Sequence, residues 1–314
     1  MARLAGQQDS ALPLPRVRRR SRLLRQERID GFLFIGPWLL GFLIWIAGPM
    51  LFSLYLVGMD WSLLSAPHFV GLDNLRTLKD DDLFFISLKN TAYYTFIAVP
   101  LHLLLALAVA LCMNVKLRFV NVFRTIYYMP SITPQVASVI LWVWIFNPDF
   151  GLANALLRWL RLPTLLWLQD PATAKPTFII MSLWGIGSTM IIFLAGLQGV
   201  PETLYEAAKL DGASQFRLLV HITLPMISPV IFFNLVIGII GSFQVFTTAY
   251  IATNGGPANS TLFLVLYLYR NGFQYFKMGY ASTIAWALFL IVLVFTLVQF
   301  KIAGRWVHYE GERV

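Results

Sequence analysis

The long apolar blocks of this chain hold no Asp, Glu, Lys or Arg away from their ends. Ion-coupled carriers place carboxylates inside the bundle because the coupling ion needs ligands there, so a self-powered carrier is disfavoured. No Gly-Lys dipeptide occurs anywhere, which removes the P-loop lysine needed to reach nucleotide phosphates. The single cysteine, Cys112, excludes an internal disulfide, and no spacing of metal ligands exists. Four histidines (His68, His102, His221, His308) are scattered over different segments and form no catalytic constellation. His102 alone lies near the middle of a block, where a hydrogen-bonded packing role outweighs a proton relay. Charged residues make up 12% of the chain, against about a quarter in a soluble domain.

What is present is apolar and comes in blocks. Hydrophobic residues are 58% of the 314, and six blocks reach spanning length: 32–57, 90–113, 124–146, 177–199, 225–252 and 279–301. A helix needs roughly 20 apolar residues to cross a bilayer. The expectation is therefore an all-α polytopic membrane protein with six transmembrane helices. Prolines within or beside the blocks (Pro37, Pro49, Pro100, Pro130, Pro134, Pro229) predict kinks. A basic tail over 1–31 precedes a membrane domain over 32–302, and a short tail follows over 303–314. With the N-terminus inside, sixteen of the 24 Lys and Arg fall on the inner face, while seven acids, including Asp80-Asp81-Asp82, fall outside. That bias places both termini in the cytoplasm. The net charge of +9 is thus a topology signal, with no patch for nucleic acid. Leu262–Tyr269 is too short to span and reads as an outer-face helix dipping into the interface. Leu152–Leu160 reads as a short outer helix.

One inner segment, 200–224, has a grammar of its own. Pro201 suits a helix start and Glu202 favours its N-terminal dipole. Good helix formers run from Thr203 to Leu210, and Asp211-Gly212 stops them. Ser214 can cap a second short helix from Gln215 to Val220. An amphipathic connector resting on lipid headgroups would show the same local pattern.

The order of residues adds to this. Glu206-Ala207-Ala208, Asp211-Gly212-Ala213, Phe216, Ile222, Leu224-Pro225 and Pro229 together resemble the EAA loop of ABC importer permeases. A second segment, Thr253-Asn254-Gly255-Gly256-Pro257 with Thr261 and Tyr267-Leu268-Tyr269, is similar to the outer segment of the carbohydrate-uptake (maltose-like) branch. Asn90-Thr91 and Ala195-Gly196-Leu197-Gln198 with Pro201 also fit, and the likeness covers about 32–302. The resemblance implies the type I importer permease fold in a bacterial or archaeal plasma membrane. It also implies a second permease subunit, an ABC ATPase dimer and an extracytoplasmic solute-binding protein. No cofactor would be bound by this chain, ATP and Mg being held by the ATPase. Glu206, Ala207, Ala208, Asp211, Gly212, Leu224 and Pro225 would then couple to that ATPase.

An uncharged interior suits a neutral solute such as a mono- or oligosaccharide. Trp184, Ser188, Asn234, Ser242, Phe243 and Gln244 on the fourth and fifth blocks are the expected substrate path, although polar residues also glue membrane helices together. Ser242 and Gln244 stand where part of the matching stretch carries asparagines in maltose permeases, which points away from maltose itself. A glycerol-phosphate-type permease remains an alternative, since a helix N-terminus or the partner subunit can bind an anion. A polytopic membrane transferase is a more distant one.

Overall fold

The computed structural model describes residues 22–115 and 118–308. Most of the basic tail, Arg16–Arg20 included, and the last residues of the C-terminal tail lie outside them. Chain contacts divide the protein at Ser53/Leu54. The first unit holds α1 (Arg22–Phe42), which a π-helical turn over Leu43–Ala47 joins to α2 (Gly48–Leu56). Its apolar side chains, Phe34 and Trp45 among them, are exposed, as befits a helix facing lipid or another subunit. The helix starts inside the segment expected to be tail, because Arg22–Asp30 contains nothing that breaks a helix.

The second unit begins with a small hairpin, β1 (Met59–Asp60) paired with β2 (His68–Phe69), and α3 (Asp73–Lys79). Helix α4 (Asp82–Met113) is its axis. At 32 residues it is about 48 Å long. It starts well before the expected 90 because Asp81 caps it, accepting from the N–H groups of Leu83 (2.9 Å) and Phe84 (3.3 Å).

The third apolar block, expected to be one helix, is two: α5 (Val120–Ile132) and α6 (Gln135–Ile145). Pro134 supplies no N–H and pushes Thr133 into extended backbone (φ −73°, ψ 134°). After α7 (Leu152–Trp159), the fourth block is also broken, into α8 (Pro171–Leu183) and α9 (Gly187–Gln198), bent by 50°. At that bend the N–H groups of Trp184 and Gly185 reach back over long 3.4 Å bonds.

The 200–224 segment carries α10 (Glu202–Leu210), α11 (Gln215–Leu218), a π-helical turn over Leu219–Thr223 and α12 (Leu224–Met226). Then follow α13 (Ser228–Phe243), α14 (Thr247–Ala252), α15 (Leu264–Tyr269), a π-helical turn and α16 (Met278–Ala303). Among the described residues four helical stretches are long and apolar enough to cross a membrane, and five if the bent α8–α9 pair counts as one. The protein is an all-α multi-pass membrane protein.

Two apolar cores lie along α4. One joins its N-terminal half to α8, α15 and the start of α16, the other its C-terminal half to α9, α13 and the rest of α16. In a bilayer, burial against protein rather than lipid brings little transfer energy, so close packing and interhelical hydrogen bonds decide. Ala106 and Ala110 are wholly buried on α4. A Cβ on Gly196 would meet Val230 at 2.9 Å, and one on Gly238 would meet Val99 at 3.1 Å.

Helix α15, too short to span, is packed against α4 and α16. Phe263, Leu264 and Leu266 are fully buried, because α4 satisfies the backbone around them. The Asn90 amide donates to the carbonyls of Asn259 (2.8 Å) and Leu262 (3.1 Å), and the Leu264 N–H donates to Thr91 Oγ1 (3.0 Å). Asp81 Oδ2 accepts from the hydroxyls of Tyr267 and Tyr280, pinning α15 and α16 to the head of α4.

Candidate functional site

Two regions hold the residues singled out from the sequence. The first is the 200–224 loop. Helix α10 opens after Pro201, with Glu202 in its first turn and Lys209 in its last, matching both ends of the helix dipole. Its end is a Schellman motif: Ala213 N–H donates to Ala208 O (2.9 Å) and Gly212 N–H to Lys209 O (3.0 Å). Gly212 sits at φ +77°, the left-handed conformation that glycine adopts without steric cost. Ser214 then caps α11 through the Arg217 N–H.

Tyr205 on α10 meets Thr223 Oγ1 at 3.0 Å, and Leu218 is buried, so the loop is one folded piece. Its outward side is bare. Leu210 is 90% and Phe216 73% exposed. Glu206, Lys209, Asp211 and Arg217 form no ion pair, since among the described residues the only one is Arg76–Asp73. Glu206, Ala207, Ala208, Asp211 and Gly212 belong to α10 and its turn, while Leu224 and Pro225 lie beyond in α12. A folded element showing unpaired charges beside exposed apolar side chains can receive a partner of matching shape.

The second region is a pair of cavities between the helices. The first, of about 340 Å³, lies among α4, α9 and α13, and His102, Thr189, Asn234 and Ser242 contribute its polar groups. These groups are committed to the protein itself. His102 Nε2 is 3.2 Å from Thr189 Oγ1, Asn234 donates to Val230 O (2.8 Å), and Ser242 Oγ lies 2.9 Å from both Thr95 Oγ1 and Ile239 O. His102 therefore has the hydrogen-bonded packing role expected of it.

The second cavity, of about 330 Å³, forms where the two broken blocks face each other and is lined by Gln135, Ser138, Trp142, Trp184 and Thr248 among others. The α8–α9 bend is stitched to the end of α5. Ser131 Oγ accepts from the Ser188 N–H (3.1 Å) and reaches Gly185 O at 3.4 Å. Gly187 leaves no room for a side chain, as its Cβ would stand 2.3 Å from Tyr127 O. Tyr94, Ser182, Ser188 and Val245 line both cavities, and no charged side chain lines either.

Four of the six residues expected on the substrate path line these cavities: Trp184, Ser188, Asn234 and Ser242. Phe243 does not. It faces the second core at 1% exposure, against Phe295. Gln244 is exposed beyond the last turn of α13 and lines neither cavity. Adjacent helix positions differ by about 100°, so a run such as Ser242-Phe243-Gln244 cannot share one face. The sequence reading named neither Tyr94 nor Gln135, Ser138 and Trp142, which also line the second cavity. A signal was there: Gln135, Ser138 and Trp142 recur at steps of three and four, one face of α6.

No group of three or more His, Cys, Asp or Glu side chains stands close enough to hold a metal ion among the described residues. Outside the spanning helices, the Tyr267 phenol is pushed up to about 12, first by burial and then by its hydrogen bond to Asp81.

Comparison with known proteins identifies the family. Residues 102–307 match the model of the binding-protein-dependent transport system inner membrane component. The chain is 42% identical over 299 residues to the probable ABC transporter permease protein YesP of Bacillus subtilis (strain 168), covering 94% of this chain and 96% of that one. It is 34% identical over 294 residues to the arabinooligosaccharides transport system permease protein AraP of the same organism, covering 92% of each. Among solved structures it is similar to a bacterial alginate ABC transporter in complex with its alginate pentasaccharide-bound periplasmic protein. The TM-score there is 0.79 at 25% identity, over 91% of this chain and 98% of that one. The chain belongs to the binding-protein-dependent inner-membrane permeases of ABC importers, in their carbohydrate-uptake branch.

Proposed function

We propose that this permease carries a neutral saccharide across the membrane, driven by ATP hydrolysed on separate subunits that grip the 200–224 loop. The observation that carries the solute assignment is the pair of cavities lined by hydroxyl, amide and indole groups without any charge. Binding sites of this kind are concave, mostly apolar, and hold a few placed polar groups. With no Lys or Arg on their walls, a glycerol-phosphate-type anion has no counter-charge there. The relative named for arabinooligosaccharides supports a neutral saccharide, and the alginate transporter supports a saccharide, though an acidic one.

Glu206, Ala207, Ala208, Asp211 and Gly212 would form the surface pressed into the ATPase, with Leu224-Pro225 leading the chain back into the membrane. The exposed Leu210 and Phe216 suit burial against such a partner. A second permease, an ATPase dimer and an extracytoplasmic solute-binding protein would complete the importer, with ATP and Mg held on the ATPase. In that assembly α5 and α6 together make a further crossing, giving six spans with both termini cytoplasmic.

Co-purification tests the coupling half: the ATPase should travel with the intact chain and be lost on deleting 201–222. Uptake in proteoliposomes tests the solute half. Trp184→Ala should lower saccharide uptake at least tenfold at constant membrane content, and an unchanged rate would remove the cavities from the transport path.

A further inference from the structure

The joint between the 200–224 loop and α13 is closed by a side chain where a helix would use its backbone. Pro229 stands four residues after Pro225, at the position whose N–H would meet the Pro225 carbonyl in a helix, and proline has no N–H. The Ser228 hydroxyl takes that place and donates to Pro225 O at 2.6 Å. Ser228 is buried, at 3% exposure, and its oxygen has a second use. Past α16 the chain turns, with the Trp306 and Val307 N–H groups both donating to Ala303 O (3.1 and 2.9 Å). The His308 N–H then reaches Ser228 Oγ at 2.9 Å. One turn along α13, on the same face as Ser228, Phe232 meets Trp306 edge-on at 6.1 Å and Phe300 at 5.1 Å. Residues 304–308 are thus a strap from the end of α16 to the base of α13, fixed by a hydrogen bond and an aromatic contact.

We propose that this strap positions the 200–224 loop for coupling, with Ser228 and Trp306 as its positioning residues. It makes α12, α13 and α16 move as one body when an ATPase displaces the loop. This rests on the coupling reading above and extends it to a segment that reading leaves out. The loop transmits displacement as far as Thr223, whose Oγ1 meets the Tyr205 hydroxyl at 3.0 Å and Leu218 O at 3.3 Å. Next comes a joint flanked by two prolines, which would bend and absorb the movement. A hydroxyl has one proton to give and lone pairs to accept with, so loop, α13 and strap meet at the single buried Ser228 oxygen. The Trp306 contact with Phe232 keeps α13 from tilting off α16 one turn further on. Holding the two helices together does not need the strap, because they already pack along the second core, Phe243 on Phe295 included.

The test uses the importer assembled with its second permease and ATPase in nanodiscs. Thr248→Cys, combined with Cys112→Ser, puts a thiol in the second cavity, beyond the far end of α13. Its maleimide labelling is followed without nucleotide and after trapping with ATP and vanadate. With the strap intact, nucleotide should change the labelling rate about tenfold, a coupling of ordinary size. Ser228→Ala should cut that response about fivefold, the worth of one hydrogen bond, and deleting 304–314 should abolish it. Both variants should still co-purify with the ATPase and hydrolyse ATP. Trp306→Ala should weaken the response, and Trp306→Phe, which keeps a ring against Phe232, should restore most of it. A strap serving stability alone would lower the melting temperature and leave the nucleotide response of the folded importer unchanged. That result with Ser228→Ala and the deletion overturns the strap and leaves the coupling reading standing. Loss of the ATPase on Ser228→Ala also overturns it, since the strap would then hold the ATPase itself. An unsubstituted strap whose importer holds no ATPase, or whose reporter thiol ignores nucleotide, overturns the coupling reading and the strap with it.

Discussion

Replacing Gly187 by alanine should loosen the joint that frames both cavities. The added Cβ would stand 2.3 Å from Tyr127 O, 2.7 Å from Tyr128 Cα and 2.8 Å from Ser131 Oγ. Two of those three atoms are backbone, so no rotamer change relieves the clash. Restoring ordinary contact requires α5 and α9 to part by about 1 Å. That separation stretches the 3.1 Å bond from Ser188 N–H to Ser131 Oγ and the 3.4 Å approach of Ser131 Oγ to Gly185 O. Overpacking costs about 1–3 kcal/mol, and a weakened hydrogen bond about 1 kcal/mol more. Better helix propensity returns about 1 kcal/mol, leaving a net loss of about 1–3 kcal/mol. Gly185→Ala is the internal control, two residues away, where the nearest atom to a new Cβ is 3.8 Å distant. Purified importer would be heated in detergent and its soluble fraction followed, with uptake measured in parallel. Gly187→Ala should melt several degrees lower and transport more slowly, while Gly185→Ala should match the unsubstituted protein in melting. Equal melting of both variants would refute the close-contact argument.

Gly212→Val forces a β-branched residue to φ +77°, a strain of roughly 1–2 kcal/mol. It should leave membrane insertion intact while ATP hydrolysis continues without uptake, read as the ratio of phosphate released to sugar accumulated. Tyr205→Phe removes the 3.0 Å contact with Thr223 and should shift the same ratio in the same direction by a smaller factor, consistent with about 1 kcal/mol. Gln244→Ala should transport at the normal rate, because Gln244 lines neither cavity. The Tyr267 phenol ionises near 10 when unfolded and at about 12 in the fold. Its contribution is complete below pH 10 and is lost as pH rises toward 12, so Tyr267→Phe should flatten the alkaline limb of a stability–pH profile.

The loop at 200–224 was legible almost residue by residue, because capping and glycine turns are decided within a few positions of the chain. Pro201, Gly212 and Ser214 each sit where their local chemistry directs. The helix breaks were not legible as breaks. A proline inside an apolar block signals a kink, but whether the block stays one helix depends on what packs beside it, here Ser131 against the α8–α9 bend. Two of the six residues expected on the solute path, Phe243 and Gln244, line neither cavity, for a related reason. Ser242 and Gln244 are both polar and near in sequence, yet only one of them faces inward. The sequence reading, drawn to the fourth and fifth blocks, named none of Gln135, Ser138 and Trp142, which line the second cavity. Asn90-Thr91 and the 253–261 segment stood apart in the sequence, and the fold shows why they go together: one holds the backbone leading into α15.

That last contact bears on how the protein is assembled. Helix α15 is too short to enter a bilayer as an independent span, and backbone groups ahead of it take partners from α4, some 170 residues earlier in the chain. Unpaired, they would have to stay in water. The segment must therefore wait outside the lipid until α4 is already in place, and it enters by lateral capture between neighbours. Asn90 and Thr91 are in this sense the receiving berth for a late-arriving piece of the fold. Damage to them should surface during biogenesis, as chains cleared by membrane quality control before any importer is built.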